Sequence, residues 1–343
     1  LVGSEMCIRD SGNIAQNFNE VEEMDPLILE ALNGAETYQP GNLSYNNRVQ
    51  IGNALGSIYG LRYKGVYRYD YDHNGYTTAS ISSYGYAEVN NTGYDAQGNP
   101  INTAAAAQRR HENFTCPIAY DADGNMLTDA KGIPLPMYYC YNESYRKQFQ
   151  GGDAIYEDVN HDGQIDRYDM VYLGNSNPKC NGGFGFTLFY GRFSLNTGFN
   201  FRMGNKIINL ARANYESMRS NTNQSYATTW RWRKNGDETV IPRALTNVNG
   251  YESYNSLPSD RYVENGNYLR LQYVQLRYEF NPQKLKKYGI RQLTLSASAN
   301  NVWCWSKYTG VDPDVSPQGF SVSTDNSRTP RTKSFTCSAN LSF

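Results

Sequence analysis

The sequence predicts an all-β protein, an antiparallel transmembrane β-barrel with long extracellular loops. Three observations carry that expectation. Apolar residues alternate with small polar ones over strand-length segments, the connections between segments are very unequal, and tyrosine dominates the aromatics, with 30 Tyr against 13 Phe and 4 Trp.

Composition narrows the class. Only 39% of the 343 residues are hydrophobic, the mean hydropathy is -0.69, and no run of apolar residues is long enough for a membrane-spanning helix. A chain of this kind crosses a bilayer only with strands. Tyrosine suits a wall between hydrocarbon and water, because its ring is apolar and its hydroxyl wants a wet partner. The net charge of -1, from 32 basic and 33 acidic residues, supplies no field for nucleic acid. The six Cys show no CxxC pair, which argues against a zinc site. Cys116 and Cys140 flank a turn-rich stretch and are the candidate disulfide pair, although spacing alone does not establish the approach a bridge needs.

Ser4-Glu5-Met6-Cys7-Ile8-Arg9-Asp10-Ser11 reads as a translated sequencing adapter. Residues 1–11 are therefore set apart, 12–343 are taken as the C-terminal part of the barrel, and the natural protein is expected to extend upstream.

The strands follow from period-two alternation. In Leu293-Thr-Leu-Ser-Ala-Ser-Ala299 every odd position is apolar and every even one a hydroxyl, and Phe335, Cys337, Ala339, Leu341 and Phe343 repeat the pattern. Phe184, Phe186, Leu188 and Tyr190 form one run, and Phe193, Leu195, Phe199 and Phe201 another. Only Gly191-Arg192 separates them, which predicts a tight hairpin. From Tyr268 to Phe280 the phase slips near Tyr273-Val274; either a β-bulge lies there or Tyr273 faces the interior.

The connections complete the barrel pattern. Gly191-Arg192 and Asn281 to Ile290 are short, whereas about 70–180, 204–262 and 304–331 are long and irregular. Short turns on one rim and long loops on the other are typical of outer-membrane barrels. Within the first loop, Tyr94 to Pro100 and Tyr120 to Met126 are near copies, each an Asp/Gly turn that predicts a small hairpin.

Gly152-Asp-Ala-Ile-Tyr-Glu-Asp-Val-Asn-His-Asp-Gly-Gln-Ile-Asp166, Tyr172-Leu-Gly-Asn-Ser-Asn-Pro-Lys179, Phe201-Arg-Met-Gly-Asn-Lys-Ile207, Ser259-Asp-Arg-Tyr-Val-Glu-Asn-Gly266 and Lys307-Tyr-Thr-Gly-Val-Asp-Pro-Asp314 follow one another in an order that resembles the SusC/RagA family of TonB-dependent transporters. The likeness runs through nearly the whole chain after residue 12. It implies the C-terminal share of a barrel of about 22 strands with a plugged lumen. It also implies an outer-membrane location, energy from TonB through a plug and coupling segment upstream of these residues, a SusD-like surface lipoprotein as partner, and oligosaccharides or peptides as substrate. The terminal Phe343 resembles the assembly signal of such barrels.

Two sets of residues suggest binding chemistry. Asp158, Asn160, Asp162, Gln164, Asp166 and Asp169, with Gly163, have the spacing of a twelve-residue calcium loop. The position that usually holds Glu is Asp169, and no flanking helices are evident. The competing reading is a loop whose Asp and Asn side chains cap their own backbone. Trp230, Trp232 and Tyr308 are candidates to stack on sugars or peptide side chains; aromatics at a barrel rim also serve as membrane-interface anchors. His73, His111 and His161 have no recognisable nucleophile or acid/base partner, so no enzyme is expected. The alternatives to a TonB-dependent importer are a passive porin, a surface adhesin, or a secreted carbohydrate-binding β-domain.

Overall fold

The computed structural model describes residues 6–29, 45, 49–68, 117–132, 134–142, 145–234, 237–245, 254–315 and 321–343. In chain order its strands are β1 (Met6–Gln16), β2 (Ser57–Gly60), β3 (Tyr63–Val66), β4 (Tyr138–Asn142), β5 (Tyr145–Gln148), β6 (Ala154–Tyr156), β7 (Gln164–Ile165) and β8 (Val171–Asn175). They continue with β9 (Cys180–Tyr190), β10 (Phe193–Met203), β11 (Lys206–Asn209), β12 (Val263–Asn265), β13 (Tyr268–Glu279), β14 (Gln292–Ser306), β15 (Thr324–Asp325) and β16 (Ser334–Ser342). Helix α1 spans Leu210–Glu216 and α2 Pro282–Leu285.

The long strands form one antiparallel sheet in the order β1-β9-β10-β13-β14-β16. Directly paired residues share a face, so the register shows how the alternation adds up across the sheet. One row reads Ile8, Leu188, Leu195, Leu276 and Ala297, the next Asp10, Phe186, Thr197, Val274 and Ala299, and the one after it Gly12, Phe184, Phe199, Leu271 and Trp303. The opposite face carries the row Arg9, Thr187, Asn196, Gln275, Ser298 and Thr336. The apolar face stays open: Phe184, Leu276, Leu295, Trp303 and Phe335 are all exposed. Neighbouring rings stack along it, Phe184 on Phe199 at 4.9 Å between centroids.

Gly191, with a φ of +59°, makes the expected two-residue turn that leaves Tyr190 opposite Phe193. At the other short link, Asn281 caps α2 by accepting from Gln283 N–H, and Gly289 in left-handed conformation turns the chain into β14. The phase slip in β13 is a bulge that also turns Tyr273 inward. Pairing jumps from Leu271 to Tyr273 against both neighbours, leaving Gln272 unopposed. Tyr273 then shares the polar face with Gly198 and Asn300. Its ring lies where a Cβ on Gly198 would be, 2.3 Å from that position.

Met6–Ser11, set apart in the sequence reading, lie in β1, paired with the residues from Tyr190 to Gly185. Backbone pairing of this kind asks little of side-chain identity.

The long connections are not irregular, which corrects the expectation for the described parts of 70–180, 204–262 and 304–331. Short strands fold there into two- and three-stranded sheets, β2-β8, β3-β6, β5-β4-β7 and β12-β11-β15. The buried core sits in this loop assembly: Tyr59, Leu61, Tyr67, Met137, Tyr139, Phe149, Tyr156, Ile165, Tyr254 and Leu257 pack together. Much of the tyrosine excess lies in this core. Tyr156 in this core donates to the Tyr254 carbonyl (3.1 Å), and Tyr45 in a neighbouring cluster donates to the Ser259 carbonyl (2.7 Å). Such partners remove the cost of burying an oxygen. Of the two near-copy turns, the second forms the expected hairpin, with Tyr120 opposite Met126 and Asp121 accepting from Asn125 N–H (2.8 Å). The first copy, His73, His111 and Cys116 lie outside the described residues, and so does the test of a Cys116–Cys140 bridge.

Candidate functional site

The polar face of the sheet meets the loop segment from Lys307 to Val315 near the loop end of its strands. Alternation places Arg202 in β10 and Arg270 in β13 on that face, near its loop end. Both are answered by the segment Lys307 to Val315, which folds over them. Arg270 Nη2 lies 2.5 Å from Asp312 Oδ1 and Arg202 Nη2 3.3 Å from Asp314 Oδ1; Arg331 also pairs with Asp314. Arg202 donates further to the Val315 carbonyl (3.1 Å). Burial alone would raise the Asp312 carboxyl, but the hydrogen bond and charge of Arg270 hold it below its ordinary value. Lower down, Thr187 donates to Asn196 (3.3 Å), Ser296 bonds Ser338 (2.7 Å) and Asn300 donates to Ser334 (3.0 Å). Side chains of the polar face thus bond one another across strands.

The loop assembly is held by two buried ionic centres. Asp153 has no exposed surface and accepts from Arg243, Tyr254 OH, Asn255 Nδ2 and the Gln150 amide. Glu216 accepts from Arg212 (2.9 Å) and Arg261 (2.8 Å), and Arg212 reaches on to Glu264 (3.2 Å). Sequence reading did not single out either centre. Asp153 and Arg243 are 90 residues apart, and their only signal was that Asp153 stands inside a family-like motif.

The aromatic candidates separate. Trp230 is 68% exposed at the end of a 3₁₀ turn that also exposes Tyr226. Trp232 is a packing residue: its ring covers Gly152, where a Cβ would come within 2.3 Å, and its Nε1 donates to the Arg68 carbonyl (3.2 Å). Tyr308 is buried against Ile207 and Val315 and donates to Asp325 (2.7 Å). Stacking on a solute is open to Trp230 alone of the three. Arg231 and Arg233 donate to the carbonyls of Thr228 and Thr229.

In the Asp158 to Asp169 loop, backbone amides occupy the carboxylates. Asp158 accepts from Gly163 N–H (2.8 Å), Asp162 from Gln164 N–H (2.8 Å) and Asp166 from Tyr168 N–H (2.7 Å). The twelfth residue, Asp169, accepts from Val159 and Asp166 N–H, both at 2.8 Å. His161 adopts a left-handed φ of +58° at the turn, with Asn160 Nδ2 donating to Asp162 (3.0 Å). Among the described residues no three His, Cys, Asp or Glu side chains converge as a cation site. This arrangement is a self-capped loop. Burial raises the Asp158 carboxyl and pushes Asp169 up to about 6, the amide bonds opposing and the charges of Asp158 and Asp166 adding.

No family model matches the chain. Among curated proteins it is 29% identical over 309 residues to TonB-dependent receptor P39 of Formosa agariphila, a match covering 86% of this chain and 26% of that receptor. It is 31% identical over 168 residues to TonB-dependent receptor P26 of the same organism, covering 49% of this chain and 17% of the relative. The chain thus spans about a quarter, or less, of the length of these relatives. In fold it matches a structure of the RagAB peptide transporter with a TM-score of 0.57 at 16% identity, over 100% of this chain and 28% of that one. A structure of the RagAB peptide importer in the 'closed-closed' state gives 0.54 at 17% identity, over 100% and 28%. The stretch that is similar to TonB-dependent receptor sequences also superposes on part of the RagAB transporter, so the chain is similar to these receptors in sequence and shares the fold of a segment of that transporter's β-barrel.

Proposed function

We propose that the chain forms part of the wall and loop assembly of an outer-membrane importer. The importer takes up oligosaccharides or peptides, draws energy from TonB and works with a SusD-like surface lipoprotein. The observation that carries this reading is the two-faced sheet, with rows such as Leu188, Leu195 and Leu276 on one side and Thr187, Asn196 and Gln275 on the other. A bilayer accepts strands only when every backbone group is paired and the outer face is apolar. Support also comes from relatives named as receptors and from RagAB, named as a peptide transporter. Binding and passage need no bond chemistry, in keeping with a chain that is not an enzyme.

The test is growth of a strain lacking the gene on a panel of glycans and peptides, with and without functional TonB. Growth should fail on one substrate class in the deletion strain and in the strain lacking TonB. Uptake that persists without TonB would point to a passive porin. Recovery of the protein in the soluble fraction after a carbonate wash would end the membrane reading altogether.

A further inference from the structure

Every charged side chain in the two short turns of the sheet is basic. The Gly191-Arg192 turn holds Arg192, and the turn from Asn281 to Arg291 holds Lys284, Lys286, Lys287 and Arg291, with no Asp or Glu. Glu279 N–H donates to the Arg192 carbonyl (3.0 Å) and Arg291 N–H to the Ser342 carbonyl (2.8 Å), so both turns and the end of β16 form one rim. All five basic side chains are exposed, and among the described residues none of them makes an ion pair. The loop end of the same sheet is built differently: Arg202, Arg270 and Arg331 are each answered there by Asp312 or Asp314. Glu279, which precedes the second turn, lies on the polar face and accepts from Gln292 (3.1 Å).

The apolar face reaches this rim through an aromatic row. Tyr190, Phe193 and Tyr278 are directly paired across β9, β10 and β13. Phe193 packs on Tyr278 at 4.6 Å between centroids, and Tyr278 on Phe280 at 4.8 Å. Tyr190 and Phe193 are exposed, and Tyr288, also exposed, stands in the turn beside the lysines. Aromatic bands of this kind mark the level where hydrocarbon gives way to headgroups. Helix α2 begins two residues beyond Phe280, which puts its lysines at that level.

We propose that this rim binds the headgroups of anionic phospholipids and prefers them to zwitterionic ones. The proposal rests on the membrane placement given above and goes beyond it in naming a lipid charge. Phosphate oxygens accept from ammonium and guanidinium groups, and a lysine stem lies along apolar surface while its charged end reaches outward. Basic clusters next to a membrane-embedded segment are drawn to anionic leaflets. A soluble anion would use the basic groups alone, whereas a lipid uses both the basic rim and the exposed apolar face that continues from it.

The experiment titrates the full-length receptor, in a neutral detergent, with phosphatidylglycerol or phosphatidylcholine and reads the lipid bound by native mass spectrometry. The parent is expected to bind phosphatidylglycerol in preference. A basic group near an anionic surface strengthens binding roughly fivefold. Lys284→Gln/Lys286→Gln/Lys287→Gln should therefore weaken phosphatidylglycerol binding about a hundredfold and leave phosphatidylcholine unchanged. The corresponding triple arginine variant keeps the charges and should keep the preference, and Lys333→Gln, beside Trp303 at the loop end, should alter nothing. Equal binding of the two lipids by the parent, or a preference that survives in the glutamine variant, overturns the proposal. Displacement of phosphatidylglycerol by soluble peptidoglycan fragments also overturns it and assigns the rim to the cell wall. A carbonate wash reads membrane placement separately. A receptor that resists the wash yet shows no lipid preference sinks the rim alone, whereas one that washes out sinks the membrane reading and this proposal with it.

Discussion

Arg243 Nε lies 2.7 Å from Oδ1 of Asp153, a carboxylate with no exposed surface at the centre of the loop assembly. Tyr254 OH and Asn255 Nδ2 donate to the same carboxylate at 2.9 and 3.0 Å. Asp153→Ala leaves these buried donors without an acceptor, and breaking a buried pair from one side costs about 3–5 kcal/mol. The loop assembly should open while the sheet persists. Limited proteolysis is expected to cut near 237–245 in the variant and not in the parent; equal resistance in both would show that the pair holds nothing together.

Gly198 and Tyr273 fit together on the polar face. Gly198→Val puts a branched side chain where the Tyr273 ring lies, and overpacking of that kind costs about 1–3 kcal/mol. Removing the ring in Gly198→Val/Tyr273→Ala should restore most of the loss, because the conflict is between these two groups. Urea unfolding in detergent reads both variants. A double variant no more stable than the single one would mean that the glycine is needed for its backbone instead.

Leu276 and Gln275 are neighbours in β13 that point to opposite faces, Leu276 level with Leu195 and Gln275 with Asn196. An arginine on the lipid face near mid-bilayer costs about 2–4 kcal/mol, and one facing the lumen costs little. Leu276→Arg should therefore lower stability in lipid vesicles far more than Gln275→Arg. Equal effects would refute the assignment of faces.

The face that Leu276 occupies was legible because a wall with hydrocarbon on one side and water on the other must alternate with period two. Strands of ten residues or more repeat that alternation often enough to be read, and Gly191-Arg192 could be placed between two such runs. The loop assembly left no such trace. Its strands are as short as β7, two residues long, and some, such as β2 and β11, are buried on both faces, so no period develops. Tyrosine misled for a related reason: Tyr59 and Tyr156 are core residues, and a buried hydroxyl with a partner looks the same in sequence as one facing water. The spacing of the Asp158 to Asp169 loop did not separate calcium binding from capping, because Asp and Asn at alternate positions serve both, as Asp158 caps Gly163.

Asp169 makes the capped loop sensitive to pH. In the folded protein its carboxyl keeps a proton up to about pH 6, raised from an ordinary 3.8 chiefly by burial. Between those values the folded state binds more protons than the unfolded one, so stability falls as pH rises through the window and its gain is complete only below it. The shift corresponds to roughly a hundredfold change in the local opening equilibrium. Hydrogen exchange at Val159 and Asp166, whose amides Asp169 accepts, should show greater protection at pH 5 than at pH 7 after correction for intrinsic rates. Asp169→Asn keeps an acceptor but cannot ionise, and it should flatten that dependence. Calcium is expected to leave protection at pH 7 unchanged, since backbone amides already hold these carboxylates. Protection that rises with calcium, and no longer does so in Asp158→Ala/Asp162→Ala, would show that the loop gathers its oxygens around a cation after all.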